Sequence, residues 1–312
     1  MTGGRIDDNY SPYGLALDPD SLGLLTSTVS SQDGSIVSRS RKTNASRRAT
    51  IFLHGAAGSW STWTPLITAA DRAGVPIENP VLLDLPGWGD ATLTPEGERA
   101  LLETLCSLVR ASVEALGYTE WDLVGHSMGG FVALHMATLW PECVVSVATV
   151  SATTWTLMDA AQHPFAHFRR LPGFVMLWRV MQVLAALGAA GAGLARGIAL
   201  LGLLRGAVAP LFRHPSRVSP TVIRALALEV RPRSFSAAVR MGDGYDASAR
   251  WAGIDCAITA LKGDRDIFAR DVDFERLSDI QPESHCETIQ DCGHFAHIER
   301  PFEVLAALGF AG

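Results

Sequence analysis

Lysine is nearly absent from this sequence. Lys42 and Lys262 are the only two, and the other 24 of the 26 basic residues are arginine. The 32 acidic residues outnumber them, giving a net charge of −6 and a pI of about 5.8. This balance argues against a general nucleic-acid binder, which needs a basic face. The five cysteines (Cys106, Cys143, Cys256, Cys286 and Cys292) are an odd number without CxxC spacing, so reduced, mostly buried thiols are expected rather than a disulfide framework. HExxH and Cys/His clusters with ligand spacing are missing, so no metal is expected. Long hydrophobic runs are missing too. The longest uncharged apolar stretch, 180–195, has 16 residues and contains Gly188, Gly191 and Gly193. A spanning helix needs about 20 residues, so no transmembrane segment is expected. The first twenty residues carry Asp7, Asp8, Asp18 and Asp20 and no apolar run. No secretory signal is read there, and a cytoplasmic location is expected.

What is present is enough for a large core. The 312 residues are 48% hydrophobic and 19% charged, with a mean hydropathy of +0.18. That composition fits one or two globular domains. Apolar runs of strand length alternate with helical stretches. A hairpin is expected over 24–37 with Asp33-Gly34 as its turn. Strands are expected at 49–53, 80–84, 121–125, 143–150, 257–262 and 285–290. Helices are expected at 96–116, 128–140 and 302–310. Strand then helix, repeated, predicts an α/β fold with a mainly parallel sheet. Residues 152–253 break the rhythm, with no convincing strand and with helical stretches punctuated by prolines. They read as a helical insertion. The division is then an N-terminal extension (1–23), a core (24–151 and 254–312) and a helical cap (152–253).

Gly125-His126-Ser127-Met128-Gly129 fits G-x-S-x-G between an expected strand and an expected helix. A sharp strand-to-helix turn exposes the serine hydroxyl. Side chains at the flanking positions would clash, so glycine is required there. The amide of Met128, at a helix N-terminus, suits a developing oxyanion. A second donor is expected from the end of another strand, at His54-Gly55-Ala56-Ala57-Gly58, with Ala56 as the donor. A histidine base is expected on a loop after the last strand. His294 in Asp291-Cys292-Gly293-His294 fits, and His297 is its local rival. An acid to orient the imidazole is expected in Gly263-Asp264-Arg265-Asp266; Asp266 is taken, with Asp264 as the alternative. His54, Gly55, His126 and Trp155 are expected beside the substrate.

The stretches HGAAGSW (54–60), DLPGWGD (84–90), GHSMGG (125–130), GDRD (263–266) and GHFAHIERP (293–301) together resemble the α/β-hydrolase family, in its capped branch of esterases, lactonases and C–C hydrolases. The resemblance implies a mostly parallel eight-stranded sheet flanked by helices, with a helical cap inserted between two strands. It implies Ser127 as nucleophile, His294 as base, Asp266 as acid, and Ala56 and Met128 as oxyanion amides. It implies acyl transfer without a cofactor. Members that open epoxides or remove halide use an aspartate nucleophile, so Ser127 argues against both activities. The same triad would also serve a C–C hydrolase or an acyltransferase. A non-catalytic receptor on this scaffold commonly lacks a triad member, and all three are present here.

Charge is divided unevenly. Residues 152–253 hold twelve arginines, no lysine and four acids, a charge of +8, while the rest of the chain carries −14. A basic, apolar cap over an acidic core has two readings. Its arginines pair with core carboxylates, or it faces an anionic amphiphile or a membrane surface. A hydrophobic small-molecule substrate is expected, and oligomerisation is left open. A proline-type aminopeptidase would want acids in the cap and is disfavoured.

Overall fold

The computed structural model describes residues 9–310 apart from 168, 170, 204, 205 and 207. Eight strands form one sheet: β1 (Leu25–Ser31), β2 (Gly34–Ser40), β3 (Arg48–Leu53), β4 (Pro80–Asp84), β5 (Glu120–His126), β6 (Val144–Val150), β7 (Ala257–Gly263) and β8 (His285–Ile289). Their order is β1-β2-β4-β3-β5-β6-β7-β8, with β1–β2 and β2–β4 antiparallel and every other pair parallel. This is the expected α/β class.

The strands were legible because both faces of the sheet are covered, which makes them near-continuous apolar runs. Side chains alternate between two cores. Ile51, Leu53, Val81, Leu83 and Leu123 pack against the helices Leu101–Ala115 and Met128–Leu139. Phe52, Leu82, Val124, Val150 and Leu261 pack on the other side against the helices Thr64–Ala73 and Pro301–Ala307. Each fully buried side chain of this kind contributes about 1.5–3 kcal/mol.

Two of the differences from the expected boundaries have a clear physical cause. The hairpin turn is Gln32-Asp33, because Ser31 pairs with Gly34. Gly34 is there for a different reason: an added Cβ would collide with the Thr92 carbonyl oxygen. The single helix expected at 96–116 is two, Pro95–Arg99 and Leu101–Ala115, broken at Ala100 (φ −117°, ψ 48°). The first piece is held by the hairpin. Thr94 N–H donates to Asp33 O at 3.0 Å, and a Cβ on Gly97 would strike the same carbonyl.

Between β6 and β7 the described residues form helices and no strand. These are Trp155–Gln162, Pro164–His167, Pro172–Ala186, Gly188–Leu200, Pro220–Leu228, Pro232–Arg240 and Ala247–Trp251. Pro172, Pro220 and Pro232 sit in the first turns, where a missing N–H costs nothing. The apolar run at 180–195 is split by Gly188 (φ 58°) into two helices. No helix among the described residues is long and apolar enough to cross a membrane.

The first eight residues of the expected extension lie outside the described ones. Residues 9–23 pack onto the rest of the chain. Tyr10 is buried, Ser11 N–H donates to Glu299 O at 2.7 Å, and Ala16 N–H donates to Thr64 Oγ1 at 2.9 Å. All five cysteines are free thiols.

Candidate active site

The sheet topology selects the place. From β3 the chain steps to β4 on one side, then returns to β5 on the other. The C-terminal ends of β3 and β5 therefore flank a switch point, where open α/β sheets bind ligands. His54-Gly55-Ala56 follows β3, and Ser127 follows β5.

Ser127 has φ 51° and ψ −116°, a conformation that L residues rarely adopt. Surrounding contacts hold it there. Ser127 N–H donates to Val150 O at 3.0 Å, and Ser127 O accepts from Gly130 N–H at 3.0 Å and Thr153 N–H at 2.9 Å. The glycines leave no room for substitution. A Cβ on Gly125 would strike the Gly129 carbonyl, and one on Gly129 would strike the Leu53 carbonyl. A Cβ on Gly130 would come within 2.6 Å of the Ala152 Cβ. Because the Leu53 carbonyl is fixed in the sheet, Gly129→Ala lowers stability by at least about 2 kcal/mol. A urea midpoint indistinguishable from wild type would contradict this.

Met128 opens the following helix, so its amide has no intrahelical acceptor. Ala56 lies in a tight turn closed by Gly58 N–H donating to Gly55 O at 3.0 Å, with Ala57 at φ 62°. Ala56, Ser127, Met128 and His294 all line one cavity of about 220 Å³.

His294 and Asp266 arrive from the ends of β8 and β7. The Nδ1 of His294 lies 3.0 Å from Asp266 Oδ1 and 3.1 Å from Oδ2, and both side chains are buried. Asp266 Oδ1 also accepts from Phe268 N–H at 2.8 Å and Ala269 N–H at 3.2 Å. Burial pushes the Asp266 carboxyl up, but the His294 ring and the Phe268 N–H outweigh it, so it is held below the usual carboxylate range. An ionised carboxylate only accepts, so Nδ1 carries the proton. In the neutral ring Nε2 is then the nitrogen with a free lone pair.

The alternatives sit elsewhere. Asp264 Oδ1 accepts from Cys292 N–H at 2.9 Å and ties two loops together. His297 is buried against the Trp63 ring, 4.3 Å between centroids, and burial pushes it down to about 3.

Of the residues expected beside substrate, only His126 reaches the cavity wall. Its Nε2 donates to the His294 carbonyl at 3.1 Å, so it supports the His294 backbone from behind. His54 is turned inward. Its Nδ1 donates to Gly55 O at 2.8 Å, its Nε2 accepts from Leu85 N–H at 3.0 Å, and burial pushes it down to about 4. Gly55 lies behind Ser127, with room for no Cβ between it and the rings of His126 and the Ser127 Cβ. Trp155 packs on Trp251 and donates from Nε1 to Ser248 Oγ at 3.0 Å.

Sequence reading missed what holds the His294 loop. Buried Glu299 accepts from Gly293 N–H at 3.0 Å, Phe295 N–H at 3.3 Å, Arg213 N–H at 2.8 Å and Tyr10 O–H at 2.6 Å. His294 N–H donates to Leu211 O at 2.7 Å. The histidine loop is thus clamped by the N-terminal segment and the helical insertion together. A glutamate five residues after the histidine was visible; its partner Tyr10, 289 residues away, carried no signal.

Apolar side chains make most of the cavity wall, including Phe131, Leu157, Phe174, Met181, Phe235 and Phe268. Arg231 also lines it, but its guanidinium is occupied. It donates to Gly87 O at 3.3 Å and Gly89 O at 2.6 Å and pairs with Glu229 at 3.1 Å. That cluster fastens the insertion to the Pro86–Asp90 turn, which Asp84 and Arg39 hold from below.

Comparison with known proteins agrees with this architecture. The pattern of the alpha/beta hydrolase family matches residues 50–308. Bifunctional epoxide hydrolase 2 of Mus musculus is 30% identical over 126 residues, 40% of this chain and 22% of its own length. The chain thus aligns with about a fifth of that relative. The Cif epoxide hydrolase from Acinetobacter nosocomialis superposes with a TM-score of 0.70 at 12% identity, covering 96% of this chain and 98% of that one. A membrane phospholipase A superposes with a TM-score of 0.66 at 20% identity, covering 94% and 87%. With the family's pattern extending over most of its length, the chain belongs to the alpha/beta hydrolase family.

Proposed function

We propose that the protein is a serine hydrolase that cleaves an ester, lactone or other acyl bond of a hydrophobic small molecule. The reading rests on one observation: His294, buried and 3.0 Å from Asp266, lines the same apolar cavity as a serine held at a strained strand-to-helix turn. In this reading His294 Nε2 takes the proton of Ser127 as its oxygen attacks the carbonyl carbon. The amides of Met128 and Ala56 receive the oxyanion, each such donor being worth about 3–4 kcal/mol in the transition state. His294 then protonates the leaving group, and later activates water against the acyl-enzyme. Epoxide opening through a carboxylate is disfavoured, because residue 127 is serine.

Residues 152–253 would act as the cap that sets substrate choice, since they supply much of the cavity wall. Among the described residues the one ion-paired charged group there is Arg231, already held by Glu229, so an uncharged acyl or ring group fits best. A basic, apolar cap also suits an amphiphile presented at a lipid surface.

The test is labelling with a fluorophosphonate, followed by a chain-length series of p-nitrophenyl esters. Folded protein is expected to form one adduct, on Ser127, and to favour butyrate to octanoate over acetate. No adduct on Ser127 would sink the serine mechanism. A strong preference for acetate would sink the extended apolar pocket alone.

A further inference from the structure

The helices Pro172–Ala186 and Gly188–Leu200 are apolar over most of their surface, with Arg179 and Arg196 their only charged residues. The inner side of the first buries Phe174, Trp178 and Met181. Its outer side presents Val180, Val183 and Leu187 to solvent, 48%, 62% and 56% exposed. The second helix packs closely on the first, for a Cβ on Gly191 would collide with the Leu184 carbonyl. It adds Leu194 and Leu200 to the outer surface, 53% and 69% exposed, and Leu201 follows at 75%. Globular proteins rarely leave so many large apolar side chains of one helix pair exposed without a use for them. A helix whose apolar residues reach its outer side as well as its inner one needs something against both.

Charge says what that is. From 160 to 228 the sequence has eight arginines and no acid. Among the described residues, three arginines of the insertion pair with core carboxylates: Arg213 with Asp291, and Arg233 and Arg240 with Glu98. Arg179 and Arg196, on the two exposed helices, have no ion pair among the described residues. We propose that this two-helix face docks on the surface of an anionic lipid bilayer. At 15 and 13 residues the helices are too short to span it and would lie in the headgroup layer. A second copy of the chain fits less well, because it would bring arginines against arginines with no acid between them. Docking would also have a consequence for access: the helix that meets lipid on one side forms a cavity wall on the other, through Phe174 and Met181.

The proposal does not depend on the chemistry at Ser127, so the Ser127→Ala protein serves for the test. Its partition is measured by co-sedimentation with phosphatidylcholine vesicles, with and without phosphatidylglycerol. Phosphatidylglycerol is expected to raise binding at least about tenfold, given roughly 1 kcal/mol per arginine near an anionic surface. Added salt should reverse most of that gain. Val183→Asp with Leu187→Asp should lower binding about tenfold or more, with an unchanged unfolding midpoint as the fold control. Arg179→Gln with Arg196→Gln should remove the phosphatidylglycerol preference. Equal binding to both vesicles, or binding to neither, would overturn the proposal. So would a dimer that Val183→Asp with Leu187→Asp dissociates in a protein that ignores vesicles.

Discussion

Ser127→Ala is expected to lower kcat/KM by about 10⁴- to 10⁶-fold on the p-nitrophenyl ester that the wild type turns over fastest. The change removes one oxygen and nothing else of the site. The orphan amide of Met128 and the turn that presents Ala56 remain, as does the buried pair of His294 and Asp266. What survives would be the part that binding and oxyanion donors supply without a nucleophile. Because the three side chains would act as one unit, adding His294→Ala to Ser127→Ala should cost little more. The strained backbone at Ser127 is enforced by Val150, Gly130 and Thr153, so alanine inherits the same conformation and the unfolding midpoint should hardly move. Retention of more than about a hundredth of wild-type kcat/KM would mean that the ester is cleaved by other means.

The sheet was readable because its strands are buried on both faces, and the order serine, acid, histidine is a feature of chain topology rather than of any one contact. Ser127, His294, Met128 and Ala56 line one cavity, with Asp266 behind the histidine, because each follows a strand end or opens a helix on the same edge of the sheet. Side-chain direction was not readable. His54 and Trp155 sit near the site in sequence terms, yet hydrogen bonds to Gly55, Leu85 and Ser248 turn them away. Gly34 looked like a turn residue and is instead a point of close approach to Thr92, which no local pattern reveals. The clamp of Glu299, Tyr10 and Arg213 joins three distant parts of the chain, so only the folded structure shows it. The charge on the insertion was readable as a sum, but its division into paired and unpaired arginines was not.

Asp266→Asn is expected to lower kcat at neutral pH by about 10⁴-fold, with little loss of cavity shape. The two backbone donors, Phe268 and Ala269 N–H, require an oxygen at the Oδ1 position. The new amide nitrogen must then occupy the Oδ2 position, 3.1 Å from His294 Nδ1. An N–H pointed at Nδ1 favours the tautomer with its proton on Nε2, and that nitrogen could no longer accept one from Ser127. The loss is one of tautomer and of charge, not of packing, which separates it from Asp266→Ala. The substitution should also change the response to acid. The folded chain holds the Asp266 carboxyl below its ordinary value, the His294 ring and the Phe268 amide overcoming burial. A depressed carboxylate stabilises the fold above its unfolded value near 4, and that contribution fades as the pH falls through the lower folded value. The gap in unfolding free energy between wild type and Asp266→Asn should therefore be full at neutral pH and shrink below about pH 4. Urea midpoints at pH 7 and at about pH 3 measure it. A gap that widened in acid, or a kcat within tenfold of wild type, would mean that Asp266 does not hold the proton of His294 in place.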